Sequence, residues 1–456
     1  MPQSSVNPFT GEVLATIADH AEDEVELRLV RSAAAARRWG TTPLADRVAM
    51  LRRMADLLDE ERETLARLAT LEMGKPIRPS RDEVAKCAAA CRYYADEAPR
   101  MLAPERVLRD GHEDGAVHFH PLGVLLAVMP WNFPYWQAIR AAAPALAAGN
   151  VVMLKHASNV PQCALAIERL FVAAGAGDGV FTTLLLPAAR VGTLIEDPRI
   201  AAVTLTGSEA AGRDVGARAG RAIKPCVLEL GGSDPFIVLA SADVEAAATT
   251  AARARCINNG QSCIAAKRFI VHDAVYDAFA ERFAAAMHGM TVGDPLDERT
   301  DIGPLATPSI RREVDDQVRR TVAAGARVLT GGTVPQGNGN FYAPTVLADV
   351  PRDSAAAREE IFGPVAPLFR VHSADDALAL ANDTPFGLGA SVWTRDAVEA
   401  RTFSEQLEAG SVFINAMVAS DPRFPFGGVK ASGVGRELAR DGLRAFVNIK
   451  TVRGTP

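Results

Sequence analysis

Cys226-Val227-Leu228-Glu229-Leu230-Gly231-Gly232-Ser233-Asp234-Pro235-Phe236-Ile237-Val238-Leu239 carries two short apolar runs separated by a Gly-Gly turn. Each run reads as a short buried strand, and the alternation of strands with helices extends from it in both directions. Upstream, Val151-Val152-Met153-Leu154 follows an Ala-rich helix, and Ala201-Ala202-Val203-Thr204-Leu205 leads into Gly207-Ser208. Val117 to Met129 reads as two strands around Pro121-Leu122-Gly123. Residues 22–99 read as helices: Leu51, Met54, Leu57, Leu58, Leu65, Leu68 and Leu71 recur at helical spacing until Gly74-Lys75-Pro76 stops them. Downstream come an Ala-rich helix over 243–256 and the strand Arg268-Phe269-Ile270-Val271. The expectation is an α/β fold with two parallel-sheet units and Gly231-Gly232 as the hinge between them. Residues 331–340 are expected to form a surface loop.

The chain has 456 residues, too many for one compact core. Hydrophobic residues make up 48% and the net charge is −6, which argues against a nucleic-acid or anionic-membrane partner. The N-terminus lacks a basic-then-apolar signal pattern, and no apolar run approaches the roughly 18 residues of a membrane span. Six cysteines in so long a chain are sparse, so they are expected to be reduced, in a cytoplasmic protein. Cys87 and Cys91 share a helix face without histidines at ligand spacing and read as core residues; no metal is expected.

Five segments carry chemistry. Asn259-Gly260-Gln261-Ser262-Cys263 sets a thiol just after a polar turn, where it can attack a carbonyl if its pKa is lowered or its proton is taken. Asn132 lies in Met129-Pro130-Trp131-Asn132-Phe133-Pro134, rigid surroundings that suit a preorganised N–H donor. Lys155 ends a strand, where an α/β sheet directs side chains into the cofactor crevice. In Thr206-Gly207-Ser208-Glu209-Ala210-Ala211-Gly212 the glycines let backbone approach a pyrophosphate at a helix N-terminus, although the spacing is not that of a dinucleotide fingerprint. Glu229, at a strand end beside Gly231-Gly232, can swing toward a thiol or a water as general base.

In this order, and followed by Glu360-Ile361-Phe362-Gly363-Pro364 and Pro425-Phe426-Gly427-Gly428-Val429-Lys430, these segments resemble the NAD(P)-dependent aldehyde dehydrogenase superfamily along essentially the whole chain. The resemblance implies a Rossmann-like cofactor domain over 1–110 and 130–230, an α/β catalytic domain over 231–415, and β oligomerisation segments over 111–129 and 440–456. It implies Cys263 as nucleophile through a thiohemiacetal and a thioester, Asn132 with the Cys263 N–H as oxyanion hole, and Glu229 as activator of the hydrolytic water. Cofactor contacts would come from Met129, Trp131, Lys155, Ser158, Gly207, Ser208, Gly212, Glu360 and Phe362. The CoA-acylating branch lacks a carboxylate at the place of Glu229, so hydrolysis to a free acid is expected.

NAD-preferring members commonly carry a glutamate at the place of Ser158; the small hydroxyl leaves room for a 2′-phosphate, so NADP is expected to be preferred, with NAD as the alternative. The wording from Lys155 to Ala164 and from Glu229 to Val238 is similar to bacterial succinate-semialdehyde dehydrogenases. That branch implies Arg140, Ser420 and Phe426 on the substrate side, Arg140 and Ser420 holding a distal carboxylate. A second carboxylate-binding arginine of the branch is replaced here by Ile257, and Arg423 is the expected substitute. Broad short-chain aldehyde specificity, a non-catalytic protein of the same fold and a cofactor-free cysteine hydrolase are the alternatives. Ala265 stands where some members carry a second cysteine, so no regulatory disulfide is expected. The partners expected are a small aldehyde and further copies of the chain, as a homodimer or a tetramer.

Overall fold

The first hundred residues are helical because their apolar side chains repeat with helical spacing and pack inward. Glu22–Trp39, Leu44–Glu60, Arg62–Met73 and Ile77–Met101 are four successive helices, and Leu51, Met54, Leu58 and Leu65 are buried between them. Gly74, at φ 80, caps the third helix in the left-handed conformation. The computed structural model describes residues 2–109 and 114–454. Among them no helix is long and apolar enough to cross a membrane.

These helices lie against a six-stranded sheet whose centre is Val124–Met129. From there the chain moves outward through Val151–His156 to Phe181–Thr183. It then returns to the opposite side of the central strand for Ile200–Thr206 and Cys226–Glu229, all parallel, with short antiparallel Gly433–Val434 at the edge. Strand order therefore reverses between Val124–Met129 and Ile200–Thr206. The crevice at the carboxyl ends of two such strands is where open α/β sheets bind ligands.

After Cys226–Glu229 the chain leaves this sheet and starts a second one, as the Gly-Gly turn leads one to expect. Pro235–Val238 sits within seven strands, flanked by Arg268–His272 and Gly389–Trp393. Its alternate residues serve opposite faces: Phe236 and Val238 enter one core cluster, Ile237 and Leu239 another.

The third sheet has three antiparallel strands, Val447–Arg453, Asp114–Pro121 and Glu105–Arg109. Here one expectation needs correction. The stretch 111–129 is not one unit: residues 111–113 lie outside the described residues, Asp114–Pro121 belongs to the small sheet, and Val124–Met129 is the central strand of the six-stranded sheet. Leu122 and Gly123 make the switch, their N–H groups donating to the Asn150 side chain. The near-continuous apolar run Val124-Leu125-Leu126-Ala127-Val128-Met129 suits only a strand covered on both faces.

Candidate active site

Cys263 follows a turn in which three successive residues are left-handed: Asn258 at φ 52, Asn259 at φ 59 and Gly260 at φ 78. Asparagine tolerates this region because its short amide bonds nearby backbone, and both amides here are engaged. Asn258 Nδ2 donates to the Asn132 carbonyl (2.6 Å), and Asn259 bridges Gly74, Gly303 and Pro304. A Cβ at Gly260 would come within 2.3 Å of the Gly363 backbone, so only glycine fits. Lys267 closes the turn from the other side, donating to the carbonyls of Ser262 (2.9 Å) and Cys263 (2.7 Å) and pairing with Glu360 (3.1 Å). Cys263 is thus held by a frame spanning the helical layer and both large sheets.

Burial pushes the Cys263 thiol up to about 11, against the opposing pull of Arg140 and Lys267. A thiol held up in this way attacks a carbonyl only as its proton is taken.

Cys263 lines two cavities. The smaller, about 260 Å³, opens at the point where strand order reverses, and Trp131, Asn132, Gly207, Ser208, Glu360 and Phe362 also line it. Trp131 and Phe362 meet edge to face at 5.9 Å. Ser208 caps the helix Glu209–Arg221, accepting from the Ala211 N–H, so that helix points its N-terminus at the crevice. Asn132 is buried and donates one Nδ2–H to the Gln261 carbonyl (3.1 Å), leaving its second amide hydrogen for an oxyanion. Lys155 and Ser158 are not in the wall of this cavity. Lys155 pairs in register with Val128 on the central strand, buried and with its pKa lowered by desolvation, and Ser158 is exposed in the following turn. Met129 and Gly212 do not line this cavity either: Met129 is buried at the strand end, and Gly212 packs on Leu230.

Glu229 lines neither cavity. It is buried, and neither carboxylate oxygen has a hydrogen-bond partner. Burial first, and then the negative charge of Glu437, hold it well above the usual carboxylate range, while Arg140 and Arg436 oppose. Leu230 and Gly231, which follow it in the chain, do line the smaller cavity.

The larger cavity, about 640 Å³, is lined by Arg140, Ile257, Ser420 and Phe426 together with Cys263. Arg140 is fully buried, ion-paired with Glu437, donates to Thr206 Oγ1 (3.2 Å) and lies 4.8 Å from the centre of the Phe426 ring. Arg423 is not brought to the cavity: it is exposed and held by Asp421 two residues before it. A cation that sequence reasoning missed stands there instead. Lys86, on Ile77–Met101, lines the cavity, lies 4.4 Å from the centre of the Trp136 ring and donates to Ser420 Oγ (2.7 Å). No local motif marks it; only packing of that helix against Trp136–Ala148 brings it in. The left-handed turn, by contrast, had a signal in Asn258-Asn259-Gly260.

A family model described as the aldehyde dehydrogenase family matches residues 2–452. The chain is 52% identical over 454 residues to succinate-semialdehyde dehydrogenase [NADP(+)] 1 of Mycobacterium tuberculosis, covering 99% of each chain. Among solved structures, that of Gox0499 superposes with a TM-score of 0.98 at 42% identity over 100% of both chains. Succinic semialdehyde dehydrogenase from Streptococcus pyogenes, in complex with NADP+, gives 0.96 at 36% identity over 99% of both.

Proposed function

The chain belongs to the aldehyde dehydrogenase family, and from that premise we propose that it oxidises succinate semialdehyde to succinate with NADP as hydride acceptor. The observation that carries this reading is a single thiol, Cys263, shared between two cavities of different character. The relative from Mycobacterium tuberculosis, named for this substrate and cofactor, supports it.

The residues present fit NADP. The smaller cavity opens at a helix N-terminus capped by Ser208 and carries an aromatic pair, Trp131 and Phe362, and a carboxylate, Glu360. Exposed Ser158, neutral and small, stands in the turn after buried Lys155. Lys155 and Ser158 would hold the adenosine ribose and its phosphate, Gly207 and Ser208 the pyrophosphate, and Glu360 the second ribose. When bound, NADP takes the hydride that leaves the aldehyde carbon.

The chain's own residues do the rest. The Cys263 sulfur bonds to the carbonyl carbon as its proton passes to water in the cavity, and the electron pair moved onto the carbonyl oxygen is met by Asn132 Nδ2 and the Cys263 N–H. After oxidation the acyl group is held on Cys263 as a thioester. Glu229 then turns from its buried place, takes a proton from water, and the new C–O bond displaces the thiolate. The frame of Asn258, Asn259 and Lys267 keeps the nucleophile still throughout.

We further infer assembly into dimers or larger oligomers. The small sheet leaves Val107, Ile449 and Val452 exposed and, among the described residues, both its outer strands unpaired at one edge, which supports pairing with another copy. The decisive experiment for the activity is a panel of purified protein with succinate semialdehyde, butyraldehyde, NADP and NAD. The highest kcat/KM is expected with the first aldehyde and NADP, and a clear preference for another pair would overturn the reading.

A further inference from the structure

The larger cavity needs a cation if its substrate ends in a carboxylate, and the arginines around it are otherwise occupied. Arg140 is ion-paired with Glu437 and bonded to Thr206. Arg423 is tied to Asp421 outside the cavity, and Arg78, in its wall, is tied to Asp301 (3.1 Å). Arg253 is exposed, so water already solvates its charge. Lys86 differs from all four. It is half-buried, and among the described residues no carboxylate lies within ion-pairing distance of it. Of the acids whose charge acts on it, Glu83 is taken by Lys75 and by the N–H groups of Tyr135 (2.8 Å) and Trp136 (2.9 Å), and Asp421 by Arg423.

We propose that Lys86 and Ser420 together form the anchor for the distal carboxylate of the aldehyde, Lys86 supplying the positive charge that Ile257 does not. This rests on the reading that the substrate carries such a carboxylate. The hydrogen bond between the two residues sets the geometry. Ser420 Oγ accepts from Lys86 Nζ (2.7 Å), so the hydroxyl hydrogen is left to donate, and the ammonium keeps two more donors. A carboxylate beside the pair receives a charge-assisted bond from Lys86 and a second from Ser420. The face of Trp136 steadies the ammonium at 4.4 Å without neutralising it. Burial and the nearby Arg140 charge hold the lysine down at about 8, so it remains mostly protonated at neutral pH, and an incoming carboxylate strengthens that charge.

The test compares kcat/KM for succinate semialdehyde and for butyraldehyde in wild type, Lys86→Met, Lys86→Arg and Arg253→Met, with NADP present. The preference for the carboxylated aldehyde is expected to fall about 10- to 100-fold in Lys86→Met, mainly through KM. Butyraldehyde should change less than about twofold, and Lys86→Arg should retain most of the preference. Equal loss on both aldehydes, an unchanged preference, or loss in Arg253→Met alone would overturn the assignment of Lys86 while leaving the substrate reading intact. A wild type that does not prefer succinate semialdehyde would overturn that reading and the anchor with it.

Discussion

One side of the smaller cavity beside Cys263 is made by chain turns at the carboxyl ends of adjacent parallel strands and faced by the helix Pro308–Ala323, while the larger cavity is walled by side chains gathered from helices and loops far apart in sequence. In the first, position follows from topology: once Val124–Met129 and Ile200–Thr206 pair, Asn132, Gly207 and Ser208 must face the crevice between them. In the second, Lys86, Arg140, Ile257 and Ser420 converge only because their supporting elements pack as they do. One side is therefore built to hold a common ligand in a fixed way, and the other is free to vary with the aldehyde. Cys263 is the hinge of the comparison, because it belongs to both.

Replacing that residue is the strongest way to separate the two sides. Cys263→Ala should lower turnover by about 10⁴-fold or more. Titrations of NADP and of succinate against the variant should nevertheless remain near wild type, because each wall is made mostly by other residues. Loss of binding on either side would show that the cavities are coupled through the thiol and not simply adjacent.

Glu229 tests how far a group outside both cavities serves the chemistry between them. Glu229→Gln should lower steady-state turnover by about 10²- to 10⁴-fold while the enzyme accumulates as acyl-enzyme, detectable by intact-mass spectrometry. The pH profile gives the sign. The group acts as a base only when ionised, and burial and Glu437 raise its pKa. In wild type, kcat should therefore climb as pH rises through that raised value, and the acidic limb should disappear in the variant. Retention of the limb would move the base elsewhere.

The same contrast explains what the sequence disclosed. The two-unit α/β fold was legible in short apolar runs such as Cys226-Val227-Leu228-Glu229 and Phe236-Ile237-Val238-Leu239, because strands buried on both faces tolerate little else. So were Cys263, Asn132 and Ser208, each attached to a turn after a regular element. The boundary at Leu122 was missed although the strands differ: Val117-His118-Phe119-His120 alternates apolar with polar, while Val124–Met129 is continuously apolar and enters the other sheet. Lys86 sits in mid-helix among Ala85, Cys87 and Ala88, where spacing reports only that a residue is near the surface. Arg423 was misplaced for the converse reason: a local partner, Asp421, outcompeted a distant one. Side-chain convergence across a domain interface leaves no periodic trace.

Ser158 gives the smallest and finest test, because it probes the topological side by changing chemistry without changing the chain path. It is exposed in the turn after Val151–His156, and its immediate neighbours Ala157 and Asn159 are uncharged. A glutamate there has space to extend toward the adenosine ribose. It would accept hydrogen bonds from two ribose hydroxyls and repel a 2′-phosphate. Because the position is exposed, salt and water screen the repulsion, and the effect should be modest. Ser158→Glu is therefore expected to lower kcat/KM for NADP by about 10-fold and to raise that for NAD, with KM for succinate semialdehyde unchanged. Raising the ionic strength should narrow the NADP penalty. A shift in the aldehyde KM of similar size would mean that the two cavities are not independent, and the division between a topological and a convergent wall would fail at its most exposed point.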